Sequence, residues 1–134
     1  MNIRTIAYWS ATLFIGLETL AGGLTDLAHG RAALSAGPFV TDLVGQLGYP
    51  VYVLTIIGVW KVLGAITVFL PGLPRLKEWA YAGIVFELTG AAASHQLHGN
   101  SAGDILTPLA MAVVAMISWA LRPPSRMLGA LWTS

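Results

Sequence analysis

The chain has no cysteine. That absence excludes disulfides, Cys-ligated zinc, iron–sulfur clusters and thiol–disulfide catalysis, and leaves the redox compartment open. Charge is scarce as well. Charged residues make up 10% of the 134 positions, where soluble domains carry about 25%. With 56% hydrophobic residues, the chain is short of the polar surface a soluble fold would show to water. No basic run is present and the net charge is +1, so nucleic acid is excluded as a partner. The glycine-rich pieces follow no strand-like segment and there is no Gly-x-Ser-x-Gly, which removes dinucleotide, phosphate-loop and serine-hydrolase readings.

Long apolar runs are what the chain does have. Four spans can be drawn, at about Ile6–Leu27, Pro50–Leu70, Lys77–Leu97 and Asp104–Leu121. A run of about 21 residues covers about 30 Å as a helix, the thickness of a bilayer's hydrocarbon core. In lipid every backbone polar group needs an internal partner, so such spans must be helices. Gly30 is expected to end the first, Pro71–Pro74 to separate the second from the third, Gly99–Gly103 the third from the fourth, and Pro123-Pro124 to stop the last. Arg4 ahead of an apolar run resembles a signal peptide. Glu18 within the run, its length and the poor cleavage site argue for a retained span instead.

Between the first two spans, Phe39, Val40, Leu43, Val44 and Leu47 recur at helical spacing, which predicts a short amphipathic helix at the membrane interface. The short second and third connections force antiparallel neighbours. The expected fold is therefore all-α: a single membrane domain over residues 1–134, an integral membrane four-helix antiparallel bundle with that interfacial helix between helices 1 and 2. Arg4, Arg75, Lys77, Arg122 and Arg126 fall on one side of this topology and only Arg31 on the other, which predicts cytoplasmic termini and a multi-pass place in the cell's inner membrane. Trp9, Tyr49, Tyr52, Trp79 and Trp119 sit near span ends, as an aromatic belt in the lipid bilayer does. Small residues such as Gly22-Gly23, Gly58 and Gly64 allow close helix approach within the bundle or in a homo-oligomer.

The charges left inside the spans define the candidate site. Lys61 stands near the midpoint of the second span, and Glu18 and Glu87 near the midpoints of the first and third. An unpaired Lys there costs about 2.5–3.5 kcal/mol on insertion scales, so a cation and two carboxyl groups at similar depth predict an inter-helix polar site. One cation leaves one carboxyl unmatched, and that group is either protonated or in a wet cavity. Glu18 lacks an obvious partner. Glu18 and Glu87 are thus the candidate acid–base pair, and Lys61–Glu87 reads equally well as a clamp that fixes helix order. Lys61 with neighbouring Trp60, and His95 with Ser94, are the candidate ligand-binding residues. His95 lies about 12 Å outward of Glu87. Asp26, His98 and Asp104 gather with His29 at the outer rim. His95 and His98 with an Asp would make only a weak metal site, lacking H-E-x-x-H or cysteine, and a hydrogen-bonded helix-end His is the plainer reading. No metal and no resident cofactor are expected, a quinone being considered only as ligand.

The stretches Tyr8–Leu27 (YWSATLFIGLETLAGGLTDL), Gly58–Gly72 (GVWKVLGAITVFLPG) and Glu78–Gly99 (EWAYAGIVFELTGAAASHQLHG), with a fourth span opening at Asp104, resemble the DoxX-like family of small four-helix membrane proteins. The likeness is carried by Lys61 in a Gly-x-x-Lys-x-x-Gly context and by Glu87 followed by Ser94-His95. By position, the matching residues are Glu18, Lys61, Glu87 and His95, and no catalytic role comes with them. The resemblance implies association with membrane redox enzymes, since founding members accompany a thiosulfate:quinone oxidoreductase; distant relatives resemble an animal receptor chaperone. Three functions stand open at this point. The first is a site for a small lipophilic, quinone-like molecule, accessory to a membrane oxidoreductase. The second is an acid–base isomerase acting on a lipophilic substrate through Glu18 and Glu87. The third is a non-catalytic assembly factor that binds a partner membrane protein.

Overall fold

The computed structural model describes residues 2–36 and 47–128. Its helices are α1 (Ile3–Ala36), α2 (Tyr52–Phe69), α3 (Pro74–Leu97) and α4 (Ala102–Ala120), followed by a 3₁₀ turn at Pro124–Arg126. The expected all-α four-helix arrangement is what is found. The amphipathic segment at Phe39, Val40, Leu43 and Val44 lies outside the described residues.

Gly30 does not end α1, which continues to Ala36. One glycine costs a helix about 1 kcal/mol relative to alanine, and the Ala- and Leu-rich sequence after it sustains the helix. At 34 residues, α1 is about 51 Å long at 1.5 Å per residue, well beyond the thickness of a hydrocarbon core. The other breakers act as expected. Gly72 takes a left-handed φ of 69° in the Pro71–Pro74 turn. Gly99, also at 69°, closes α3 in a Schellman arrangement, with Gly99 N–H donating to Gln96 O and Asn100 N–H to His95 O. Ser101 caps α4 in a reciprocal box with Asp104.

Each helix packs on its neighbours in sequence, and α1 closes the ring against α4. The most extensive contact is α1 on α2, and glycine is the reason. A Cβ built on Gly23 would lie 3.0 Å from Gly58 O and 3.0 Å from Val62 N; one on Gly58 would lie 2.9 Å from Gly23 O. Backbone touches backbone at this crossing, the close approach that small residues permit. Gly23→Ala must push the two helices apart, and overpacking of this kind costs about 1–3 kcal/mol. The expected result is a lower unfolding midpoint in detergent micelles; a midpoint equal to the wild type's would show that the crossing is not tight.

The apolar core joins all four helices through Ile15, Val68, Tyr81, Ile84, Leu88 and Ala115. Through it runs a buried polar chain: the hydroxyls of Thr12 and Tyr81 each lie 2.7 Å from Ser118 Oγ, tying α1, α3 and α4 together. The outward faces are apolar, with Phe14, Leu17, Ile56, Leu63, Phe86 and Val113 among the exposed residues. α2 and α4 are long and apolar enough to cross a membrane.

Candidate functional site

Lys61 extends from the middle of α2 into the corner between α1 and α3. Its Nζ lies 3.2 Å from Asp26 Oδ2 on α1 and 3.2 Å from Glu87 Oε1 on α3, with the amine side chain 16% exposed. Three helices thus meet at one ammonium group. Gly22 leaves the space for it: a Cβ there would stand 2.8 Å from Lys61 Nζ and 3.9 Å from Glu18 Oε1. Glu18, Gly22 and Asp26 follow one another at i, i+4 and i+8, one face of α1. Glu18, half-buried, lies on that face behind the amine, without a contact to Lys61 of ion-pair length.

Asp26 is the residue that depth counting sets at the rim and the structure brings to the centre. Counting along the helix places Cα atoms, while a lysine's long stem carries its charge away from its own Cα. The amine climbs to Asp26 rather than dropping to Glu18. The spacing of Asp26 from Glu18 across Gly22 is the signal that would have revealed it.

Beside this centre, an apolar groove of about 690 Å³ follows the seam between α2 and α3. Its α3 wall runs from Leu76 to Ser94, roughly 27 Å at 1.5 Å per residue. Lys61 and Glu87 lie on its walls, while Glu18, Asp26 and His95 do not. Trp60, 69% exposed, and Trp79 flank it. Gly64, Gly83 and Gly90 also line it, and a Cβ on any of them would meet no heavy atom within 4 Å. These glycines keep the groove open.

A model of the DoxX-like family matches residues 10–118, a stretch that holds Glu18, Asp26, Lys61 and Glu87. The chain belongs to the DoxX-like family. Together with the two apolar helices, that membership marks a membrane protein. Neither curated proteins nor solved structures give a match.

Of the other expected site residues of this DoxX-like chain, Trp60 and Ser94 line the groove, while His95, His98 and Asp104 do not. Ser94 lines the groove and shares a 2.7 Å hydrogen bond with the Tyr49 hydroxyl. His95 Nδ1 lies 2.7 Å from Asn100 Nδ2, and His98 Nδ1 lies 3.1 Å from Ser94 O. Asp104 accepts from the Ser101 hydroxyl at 2.6 Å and from its N–H at 3.2 Å, as the α4 cap. The two histidines and two aspartates of the weak rim metal reading therefore do not converge.

A second polar cluster, at the opposite end of the bundle, is one that sequence reasoning missed. Lys77, fully buried, donates to the carbonyls of Thr67, Val68 and Leu70. Arg126 donates to Val68 O at 3.1 Å and Phe69 O at 3.2 Å, and stacks over Trp9. Arg122 pairs with Glu78 at 2.7 Å beneath the Tyr81 ring. In the sequence these charges mark only orientation; their position at helix ends, where carbonyls lack partners, is the sign of a capping role.

Proposed function

We propose that this DoxX-like protein spans the inner membrane four times with both termini cytoplasmic, and that its α2–α3 groove binds a small lipophilic, quinone-like molecule. In this reading it is an accessory subunit of a membrane oxidoreductase, its partner. One observation carries the proposal: an apolar groove about 27 Å long that has a charged Lys61–Glu87 contact set into its wall. Apolar walls with few convergent polar groups are the usual form of a small-molecule site. An apolar outer surface lets such a molecule enter from the lipid. The clustering of Arg4, Arg75, Lys77, Arg122 and Arg126 at one end of the bundle supports the orientation.

The isomerase reading asks two carboxyl groups to face one substrate. Only Glu87 of the candidate pair borders the groove, which favours binding over two-base catalysis.

The test uses the groove's own glycines. A Cβ at Gly83 meets no heavy atom within 4 Å, so Gly83→Leu starts its side chain into the open groove, and it replaces a poor helix former with a good one. This variant should fold at least as well as the wild type, yet carry roughly tenfold less bound lipophile. Mass spectrometry of organic extracts from both purified proteins reads the outcome. A wild type with nothing above the background of bulk lipid, or equal amounts in both proteins, sinks the proposal and leaves the assembly-factor reading in place.

A further inference from the structure

We propose that Thr19 is a binding residue of the groove, taken as the lipophile site argued above. Its hydroxyl and the remaining N–H of Lys61 together hold a neutral hydrogen-bond acceptor of the ketone or quinone carbonyl class. Thr19 is 2% exposed and is the α1 residue of the groove lining, the floor where the α2–α3 seam opens onto the helix behind. Its hydroxyl differs from the other buried ones among the described residues. Those of Thr12, Tyr81 and Ser118 bond to one another, and that of Tyr8 accepts from Arg126. The hydroxyls of Thr25, Thr67, Thr89 and Thr107 each donate to the carbonyl four residues earlier in their own helix. Thr19 does neither, and has no partner among the described residues. The fully buried side-chain nitrogen or oxygen without a partner there is Arg122 Nη1 alone, so Thr19 Oγ1 keeps a little accessible surface. The cavity that Thr19 borders is this groove, and the oxygen opens into it.

The helix places that hydroxyl beside the ammonium. Thr19 and Gly22 stand at i and i+3, neighbours on one face of α1, and a Cβ on Gly22 would lie 2.8 Å from Lys61 Nζ. An ammonium has three N–H donors. Asp26 and Glu87, each at 3.2 Å, account for two of them, and Lys61 itself lines the groove. Two donors from two helices therefore meet at one level, and a carbonyl oxygen brings a lone pair for each. The indole N–H groups of Trp60 and Trp79, farther out on the walls, are donors as well. A carboxylate fits worse, because Glu18, Asp26 and Glu87 already surround the one ammonium. A pure hydrocarbon leaves the Thr19 hydroxyl without a partner. Burying a hydroxyl in that condition is unfavourable, and valine has nearly the same shape. Threonine at this place thus serves a ligand rather than the fold.

The experiment compares the purified full chain with Thr19→Val and Thr19→Ser in one detergent. Equilibrium dialysis uses three probes with the same tail: decylbenzoquinone, decylbenzene and decylbenzoate. Thermal unfolding of each protein is followed in parallel. Thr19→Val is expected to bind the quinone roughly fivefold more weakly, the worth of one hydrogen bond, and to bind decylbenzene as the wild type does. Thr19→Ser should keep the quinone binding, and the wild type should bind the benzoate more weakly than the quinone. The unfolding midpoint of Thr19→Val should equal or exceed that of the wild type, an outcome that a hydroxyl bonded within the fold would not give. A lowered midpoint in Thr19→Val overturns the inference, since the hydroxyl then has a structural partner. Equal quinone binding in wild type and Thr19→Val overturns it, as does an equal loss of decylbenzene, which would be an effect of shape. Tighter binding of the benzoate than of the quinone overturns it too. In each of those cases a probe still binds and the lipophile site stands. Binding of no probe to the wild type overturns both readings together.

Discussion

Replacing Lys61 with Met should be among the most damaging single changes at the centre of the bundle. The substitution keeps the apolar stem and deletes the charge, leaving Asp26 and Glu87 facing one another with no cation between them. Removing one partner of a buried pair typically costs about 3–5 kcal/mol, because the remaining charge stays desolvated and uncompensated. The three side chains here are 16%, 21% and 27% exposed, so the lower end of that range, about 3 kcal/mol, is expected. The compensated variant makes the test specific. Adding Asp26→Asn and Glu87→Gln to Lys61→Met removes the stranded charges, and the two amides can hydrogen-bond to each other. The triple variant should therefore recover much of the lost stability in detergent-micelle unfolding. If Lys61→Met unfolds like the wild type, the ammonium is not holding three helices together. If the triple variant is worse than the single one, the loss comes from packing rather than charge. Gly22→Ala probes the same point more gently. Its Cβ meets only the end of the lysine side chain, Nζ at 2.8 Å and Cε at 3.1 Å, which can swing aside, so the ammonium shifts while the helix crossing at Gly23 stays intact.

How much of this centre is legible follows from what a sequence can measure. A helix's rise converts residue number into depth, and that alone suffices to bring Lys61 and Glu87 to one level. It fails for Asp26 because depth is counted on Cα atoms and the lysine reaches well beyond its own. The glycines at positions 22, 23 and 58 are recognisable as small-residue surfaces, and spacing alone places Gly58 on the Lys61 side of its helix. That Gly23 is the residue it meets depends on the relative rotation of α1 and α2, which no single-helix periodicity contains. The groove is hidden for a related reason. The turn at Pro71–Pro74 makes α2 and α3 antiparallel neighbours, yet a short turn fixes only one end of the pair and says nothing of the gap along it. Gly64 reads from sequence as a packing residue; in the structure it faces open space, as do Gly83 and Gly90. Gly30 misleads in the opposite direction, its modest helix penalty overcome by the good helix formers after it.

Lys77→Met is the second large effect, and its cause differs from that of Lys61. A helix leaves its last four carbonyls without intrahelical partners. At the end of α2 these belong to Thr67, Val68, Phe69 and Leu70, and every one is met by a cation from elsewhere: Lys77 takes Thr67, Val68 and Leu70, and Arg126 takes Val68 and Phe69. α2 carries no basic residue in its own last turn, so α3 and the tail supply the positive charge that a helix C-terminus favours. Methionine at position 77 would fill similar space but strand two carbonyls that have no other side-chain partner among the described residues, in surroundings where Lys77 itself is fully buried. Each stranded group costs about 1–3 kcal/mol, which puts the loss for two at about 2–6 kcal/mol. Arg126→Met should cost less, since Val68 O keeps Lys77 and only Phe69 O loses its partner. The expected order of unfolding midpoints is wild type, then Arg126→Met, then Lys77→Met. Reversal of the two variants would show that the arginine, through its stacking on Trp9, is the principal cap. The comparison also separates the chain's two lysines by chemistry. Lys77 donates to backbone carbonyls and does not line the groove, so its loss should act on stability alone. Lys61 lies on the groove wall and meets Glu87 there, so conservative changes around it should alter what the folded protein binds.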